Sequence, residues 1–134
     1  MFFEDISINL DSPIDEFDEY MNGNEITGSF GAFELGLNVK NIYFKNINLT
    51  LYREKFPYSY LICIGPKSIR IKNSGEVFDP YLSSRANNIY LENIKINGEN
   101  PTDIKPYIRE IVFDNLYDDI PSNASGIIDN IIYN

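Results

Sequence analysis

The sequence predicts an all-β chain, built as a β-solenoid of about six partial or complete coils. Three observations predict it. One short motif recurs along the chain, its copies fall at related intervals, and Asn or Asp recurs at one place in each copy. Self-similarity at an interval of roughly 20–50 residues marks stacked repeats, because each repeat buries its inner face only against its neighbours.

The motif is an aromatic or Leu, a spacer, Asn or Asp, an aliphatic, a spacer and an aliphatic. Its copies are Phe3-Glu4-Asp5-Ile6-Ser7-Ile8, Phe44-Lys45-Asn46-Ile47-Asn48-Leu49 and Leu91-Glu92-Asn93-Ile94-Lys95-Ile96. A fourth, Phe113-Asp114-Asn115-Leu116, decays into Tyr117-Asp118. Asn41-Ile42-Tyr43, Asn88-Ile89-Tyr90 and Glu110-Ile111-Val112 precede three of them. This is period-2 alternation along a strand, interrupted by Asn or Asp where the buried face changes.

The copies lie 41, 47 and 22 positions apart. A coil of about 22 residues fits the smallest gap, and the longer gaps are close to two such coils. Intervening copies are then expected at Phe30–Leu35 and Ile69–Asn73, with a last fragment at Ile127–Ile132. Stacked coils place equivalent residues about 4.8 Å apart, so Asn side chains hydrogen-bond up and down a row. Asn also accepts the left-handed backbone of a sharp bend. Asn-marked hairpins in an antiparallel sandwich are the alternative, but a sandwich needs no fixed motif at coil spacing.

Strands are predicted near 3–10, 30–36, 40–52, 59–64, 68–73, 76–78, 88–97, 108–116 and 127–133. Residues 11–29 read as an acidic loop insertion, with one helical turn around Ile14 to Met21. Residues 53–58, 79–87 and 98–107 read as loops, on their Pro and Gly content. The whole chain, 1–134, reads as a single β-helical domain.

Composition narrows the partners. Twenty acidic against 11 basic residues give a net charge of −9, which disfavours nucleic acid and anionic membranes. Polyanionic sugars are repelled as well, so neutral oligosaccharides or polysaccharides are the easier carbohydrate ligands. Cys63 stands alone in the apolar run Tyr60–Ile64 and is expected to be a small core side chain. No signal-peptide pattern opens the chain, so as written it is expected to remain cytoplasmic. The first motif begins at Phe3 without a polar cap before it. That predicts a C-terminal fragment of a longer β-helix, or a homo-oligomer formed through the open N-terminal end.

Two surfaces are candidate sugar sites. Asp15, Glu16, Asp18, Glu19 and Tyr20 offer carboxylates beside an aromatic platform, against the plain reading of a solvated acidic loop. Calcium is a further reading there, but the run lacks the spacing and Gly of an EF-hand loop. Tyr58, Tyr60, Tyr81 and Tyr90, with Asp79 and Arg85, suit stacking and paired hydrogen bonds, against the reading of Tyr packed between coils. No metal site or cofactor is implied.

The segments Asn41–Ile47 and Asn88–Ile94, with the Gly-flanked strand Gly28–Gly36, resemble coils of the pectin lyase-like β-helices. They are most similar to the C-terminal part of polygalacturonase-related glycoside hydrolases. The resemblance implies a right-handed parallel β-helix and a carbohydrate-active module. It does not imply a complete active site. Those enzymes use Asn-x-Asp, paired Asp, Gly-His-Gly and Arg-x-Lys motifs, with carboxylates performing an inverting hydrolysis. This chain has no His. Asp118-Asp119 lies after the point where Arg-x-Lys should follow it, and Arg70-Ile71-Lys72 reads as a strand with two outward basic residues. The catalytic residues therefore stay unassigned.

Overall fold

The computed structural model describes residues 1–10, 30–68, 71–73, 76–78, 81–113 and 124–134. The described residues form strands and one 3₁₀ turn, with no α-helix among them. None of their helical segments is long and apolar enough to cross a membrane. In chain order the strands are β1 (Phe2–Leu10), β2 (Phe30–Leu35), β3 (Asn38–Leu51) and β4 (Ser59–Ile64). Four short ones follow: β5 (Lys67–Ser68), β6 (Ile71–Asn73), β7 (Glu76–Phe78) and β8 (Tyr81–Leu82). The last are β9 (Ser84–Ile96), β10 (Ile108–Glu110), β11 (Val112–Phe113) and β12 (Ala124–Tyr133), with the 3₁₀ turn at Lys105–Tyr107.

The main sheet has the order β1-β3-β9-β12-β11, and its first four strands are parallel. A second parallel sheet has the order β10-β4-β2. Register in the main sheet aligns like with like: Phe3, Phe44 and Leu91 form one row, and Ile6, Ile47 and Ile94 another. Ile42, Ile89 and Ile131 form a third. The two sheets face one another across a single core. Phe33 of β2 lies 5.2 Å from the Phe3 ring and 4.7 Å from the Phe44 ring. Ile42, Phe44, Ile47, Leu61, Ile62, Ile89 and Ile94 are each at most 1% exposed. Full burial of one such side chain stabilises by about 1.5–3 kcal/mol, so these rows carry the fold.

Each long strand bends where the sequence carries Asn or Asp. Asp5, Asn41, Asn46, Asn88, Asn93 and Asn130 all have φ between 50° and 73°. This left-handed conformation costs most residues about 1–2 kcal/mol, and Asn least. Two rows of side-chain hydrogen bonds fix the bends. Asn93 donates to Asn46 (2.8 Å) and Asn46 to Asp5 (2.9 Å). Asn130 donates to Asn88 and Asn88 to Asn41, each at 3.1 Å.

The stacking interval corrects the sequence expectation. Partners in these rows are 41, 42 or 47 residues apart, not about 22, because each rung contains a strand from both sheets. Among the described residues four parallel strands stack in the main sheet, rather than six coils. Phe30–Leu35 is β2, in the second sheet beside β4. Ile71–Asn73 forms an antiparallel ribbon with β7, and Phe113 pairs antiparallel with Ala124. Ile127–Ile132 does stack as expected, on β9.

The expected loop at 79–87 is also corrected, since β8 and the start of β9 lie within it. Ser84 and Ala86 are 0% exposed, and Ser84 Oγ accepts a hydrogen bond from the Leu37 N–H at 2.8 Å. Small inward residues fill the core there without the aliphatic alternation that marks a strand in sequence. Gly126 marks a second tight contact: a Cβ at that position would lie 2.1 Å from the Ile64 carbonyl oxygen.

Candidate functional site

Between the bends at Asn41 and Asn46, β3 alternates strictly. Ile42 and Phe44 point into the core, and Tyr43 and Lys45 point out. The same alternation in β9 turns Tyr90 and Glu92 outward. Parallel register then stacks Phe2, Tyr43 and Tyr90 into one outward row. Ring centroids are 4.5 Å apart with planes 13° from parallel for Phe2–Tyr43, and 4.4 Å and 6° for Tyr43–Tyr90. The rings therefore cover each other's faces. Edges remain for a ligand, together with the outer face of Phe2, which is 73% exposed.

One charged pair, Lys45–Glu92, flanks the row, and a second, Arg85–Asp129, lies before the bends at Asn88 and Asn130. Lys45 Nζ lies 4.0 Å from Glu92 Oε2, and Arg85 Nε lies 3.3 Å from Asp129 Oδ2. All four side chains are 43–60% exposed, so each pair contributes little stability and stays available to a ligand. Phe2, Tyr43, Lys45, Tyr90, Glu92 and Asn134 border a shallow hollow of about 180 Å³. Ring edges beside charged hydrogen-bonding groups suit a polyhydroxylated ligand better than an apolar one.

The sequence candidates are only partly gathered there. Arg85 and Tyr90 share the outer side of β9, on either side of the bend at Asn88. Tyr58 is half-buried in the turn before β4, and Tyr81 belongs to β8, paired with Ser68, so neither joins the aromatic row. Asp15, Glu16, Asp18, Glu19 and Tyr20, with the rest of 11–29, lie outside the described residues, as does Asp79. Phe2 and Asp129 belong to the surface but carried no sequence signal of their own. Tyr43 did: it occupies the place of Tyr90 in the matched segments.

Tyr60 belongs to a different cluster. The Arg53 guanidinium carbon lies 5.0 Å from its ring centroid and 4.5 Å from that of Tyr107. Arg53 donates through Nε to the Ser59 carbonyl (3.0 Å) and through a terminal nitrogen to the Pro106 carbonyl (2.6 Å). With those bonds made, Arg53 clamps the 3₁₀ turn onto β4, a structural role.

Letter matches to catalytic motifs do not assemble. Arg53-Glu54-Lys55 also reads Arg-x-Lys, but Arg53 is committed to carbonyls and Lys55 Nζ lies over the Phe56 ring at 5.2 Å. Asn9-Leu10-Asp11 reads Asn-x-Asp; it closes β1, with Asp11 outside the described residues. Asp118-Asp119 and Arg70 lie outside them too. Among the described residues no three His, Cys, Asp or Glu groups converge to hold a metal ion. Cys63 is 3% exposed, and burial, reinforced by Glu34 and opposed by Arg109, pushes its thiol from 9.0 up to about 12. It is an inert core group at neutral pH.

No protein-family model matches this chain, and no curated protein or solved structure matches it either.

Proposed function

We propose that these rungs are coils of a right-handed parallel β-helix, forming a sugar-contacting module of a carbohydrate-active protein related to polygalacturonases, with its catalytic set incomplete in this chain. The observation that carries the helix is the pair of Asn rows. A coil that bends at the same place in every turn places left-handed Asn residues in register, over two parallel sheets sharing one core. Right-handed winding follows from the handedness of parallel crossovers, which is right in about 98% of cases. The sugar reading is supported by the outward face of β3 and β9, where Tyr43 and Tyr90 lie beside Lys45–Glu92, with the exposed pair Arg85–Asp129 across the bend at Asn88. Net charge −9 favours neutral sugars.

The test is an NMR titration with a panel of neutral oligosaccharides. Saturable shifts at the amides of Tyr43, Tyr90 and Arg85 are expected with at least one sugar. An Arg85→Ala substitution should weaken that binding by about ten-fold, the loss of one charge-assisted hydrogen bond. Absence of saturable shifts across the panel sinks the sugar reading.

A second reading is favoured by the edge of β1. Phe3, Ile6, Ile8 and Leu10 are only half-buried, whereas Phe44, Ile47, Leu49 and Leu51, their neighbours on β3, are at most 6% exposed. On this reading the chain is a non-catalytic structural or binding module that associates through that edge.

A further inference from the structure

Every Asn that bends a strand in the two rows is followed by Ile: Asn41-Ile42, Asn46-Ile47, Asn88-Ile89, Asn93-Ile94 and Asn130-Ile131. All five Ile are paired in the main sheet, and Ile42, Ile47, Ile89 and Ile94 are at most 1% exposed. Pairing and burial fix the main-chain nitrogen that follows each of these Asn. Most of their side-chain amides are committed as well. Asn46, Asn88, Asn93 and Asn130 each donate through Nδ2 to the next residue of their row.

Asn97 is built the other way. It and Gly98 have φ of 51° and 84°, the paired left-handed residues of a type I′ turn. The turn is closed by hydrogen bonds in both directions between Ile96 and Glu99. Both turn residues are exposed, and nothing lies within 4 Å of where a Gly98 Cβ would be. Among the described residues the Gly98 N–H and the Asn97 Nδ2 have no hydrogen-bond partner. The Asn97 side chain is held by its oxygen alone, which accepts the Leu51 N–H at 2.8 Å. Its main-chain N–H donates to the Leu49 carbonyl at 2.8 Å, so Asn97 carries the β3–β9 pairing one step beyond Ile96. The Leu51 N–H also polarises the side-chain carbonyl, and a donor so placed stabilises negative charge that develops on that oxygen.

We propose that Asn97 is a self-modifying site, at which the Gly98 nitrogen displaces the side-chain amide and the latch on Leu51 is then released. Hydroxide takes the Gly98 N–H proton, and the nitrogen attacks Asn97 Cγ. The N–Cγ bond forms, the Cγ–Nδ2 bond breaks, and the amide leaves as ammonia, giving a succinimide ring. Water opens the ring at either carbonyl. Cleavage of the new N–Cγ bond leaves an aspartyl residue. Cleavage of the original peptide bond leaves an isoaspartyl residue, whose main chain runs through the former side chain and is one carbon longer. The aspartyl product keeps an acceptor for Leu51. The isoaspartyl product does not, because its longer main chain does not fit a two-residue turn. Asn100 has no such route, since Pro101 lacks an N–H. The chain's other Asn-Gly pair, Asn22-Gly23, lies outside the described residues. This inference is independent of both readings above.

The test incubates the native full chain at about pH 8.5, where base favours loss of the amide proton, and follows each Asn by peptide mass spectrometry. Conversion at Asn97 should run at least about ten-fold faster than at Asn46, Asn88, Asn93 and Asn130, and yield both products, as an unhindered intramolecular attack predicts. Gly98→Ala should slow it several-fold, since a β-carbon crowds the attacking nitrogen. In the separated isoaspartyl fraction the Leu51 amide should exchange hydrogen faster than in the unmodified chain, whereas an Asn97→Asp variant should keep its protection. Asn97 converting no faster than the row Asn residues overturns the proposal. So does an aspartyl product alone, which means direct hydrolysis without the ring, and so does a Leu51 amide still protected in the isoaspartyl fraction.

Discussion

Asn93 donates its side-chain amide to the side-chain oxygen of Asn46 at 2.8 Å, across 47 residues of sequence. Asn46 passes a bond of the same kind to Asp5, 41 residues away. The row is partly solvent-exposed, so each bond contributes about 0.5–1.5 kcal/mol. Its larger effect is on register: a strand shifted by one residue loses the row and turns its core residues outward.

Asn46→Ala removes both bonds and puts at this left-handed φ a residue without the polar side chain that lets Asn tolerate it. Together these should lower stability by about 2–4 kcal/mol. Asn46→Gly loses the same bonds but is at ease at this φ, and should cost roughly 1 kcal/mol less. Urea midpoints of the two variants check this, and an Ala variant at least as stable as Gly would contradict it.

Core depth should follow rung order. Ile47 is 0% exposed on β3, whereas Ile6, its partner on β1, is half-buried. Ile47→Ala should cost about 3–5 kcal/mol and Ile6→Ala less than half of that, since the end site loses less contact. Equal losses in denaturant unfolding would mean that β1 is covered as fully as β3.

Gly126→Ala should be among the most damaging small substitutions. The added carbon would fall 2.1 Å from the Ile64 carbonyl oxygen and 2.4 Å from its carbon, both backbone atoms that move only if β12 and β4 separate. A loss above about 3 kcal/mol is expected. Gly98→Ala is the control: φ is +84° there with nothing within 4 Å, so only backbone strain of about 1 kcal/mol applies. Comparable thermal midpoints for the two variants would contradict the close approach.

Cys63 should react with aromatic disulfide reagents only after unfolding at pH 8, because burial holds the thiol up at about 12. The sign of the pH effect follows from the same shift. The folded state keeps the proton that the unfolded state releases, so the contribution is complete below pH 9.0 and is lost as pH rises toward about 12. Cys63→Ala should flatten the loss of stability over that window. Rapid labelling of the native protein at pH 8 would show that the thiol is accessible.

Strand placement was legible because alternation survives at most places. Phe3, Ile6 and Ile8, and their partners in β3 and β9, show both the face and its change at Asp5, Asn46 or Asn93. The start of β9 was not legible, because Ser84 and Ala86 are buried by size and hydrogen bonding rather than by hydrophobicity. The interval was misread for a related reason. Phe30–Leu35 carries aromatic and aliphatic residues at strand spacing, so nothing local assigns β2 to the second sheet rather than to a rung of β1 and β3. The candidate surface was half-visible: Arg85 and Tyr90 stood out as residue types, but their neighbours Phe2, Tyr43 and Asp129 come from three other strands.

By itself the sequence determined the β class, the bends at Asn and Asp, and which residues of β1, β3 and the later part of β9 face the core. These depend on side-chain alternation and backbone preference, which act over a few residues. Tertiary structure alone decided that rungs repeat every 41–47 residues, that Phe2, Tyr43 and Tyr90 share a row, and that the Asn row ends on Asp5. Those are matters of which strand lies beside which. Pairing is set by burial and hydrogen bonding between segments far apart in the chain, and no local pattern records it.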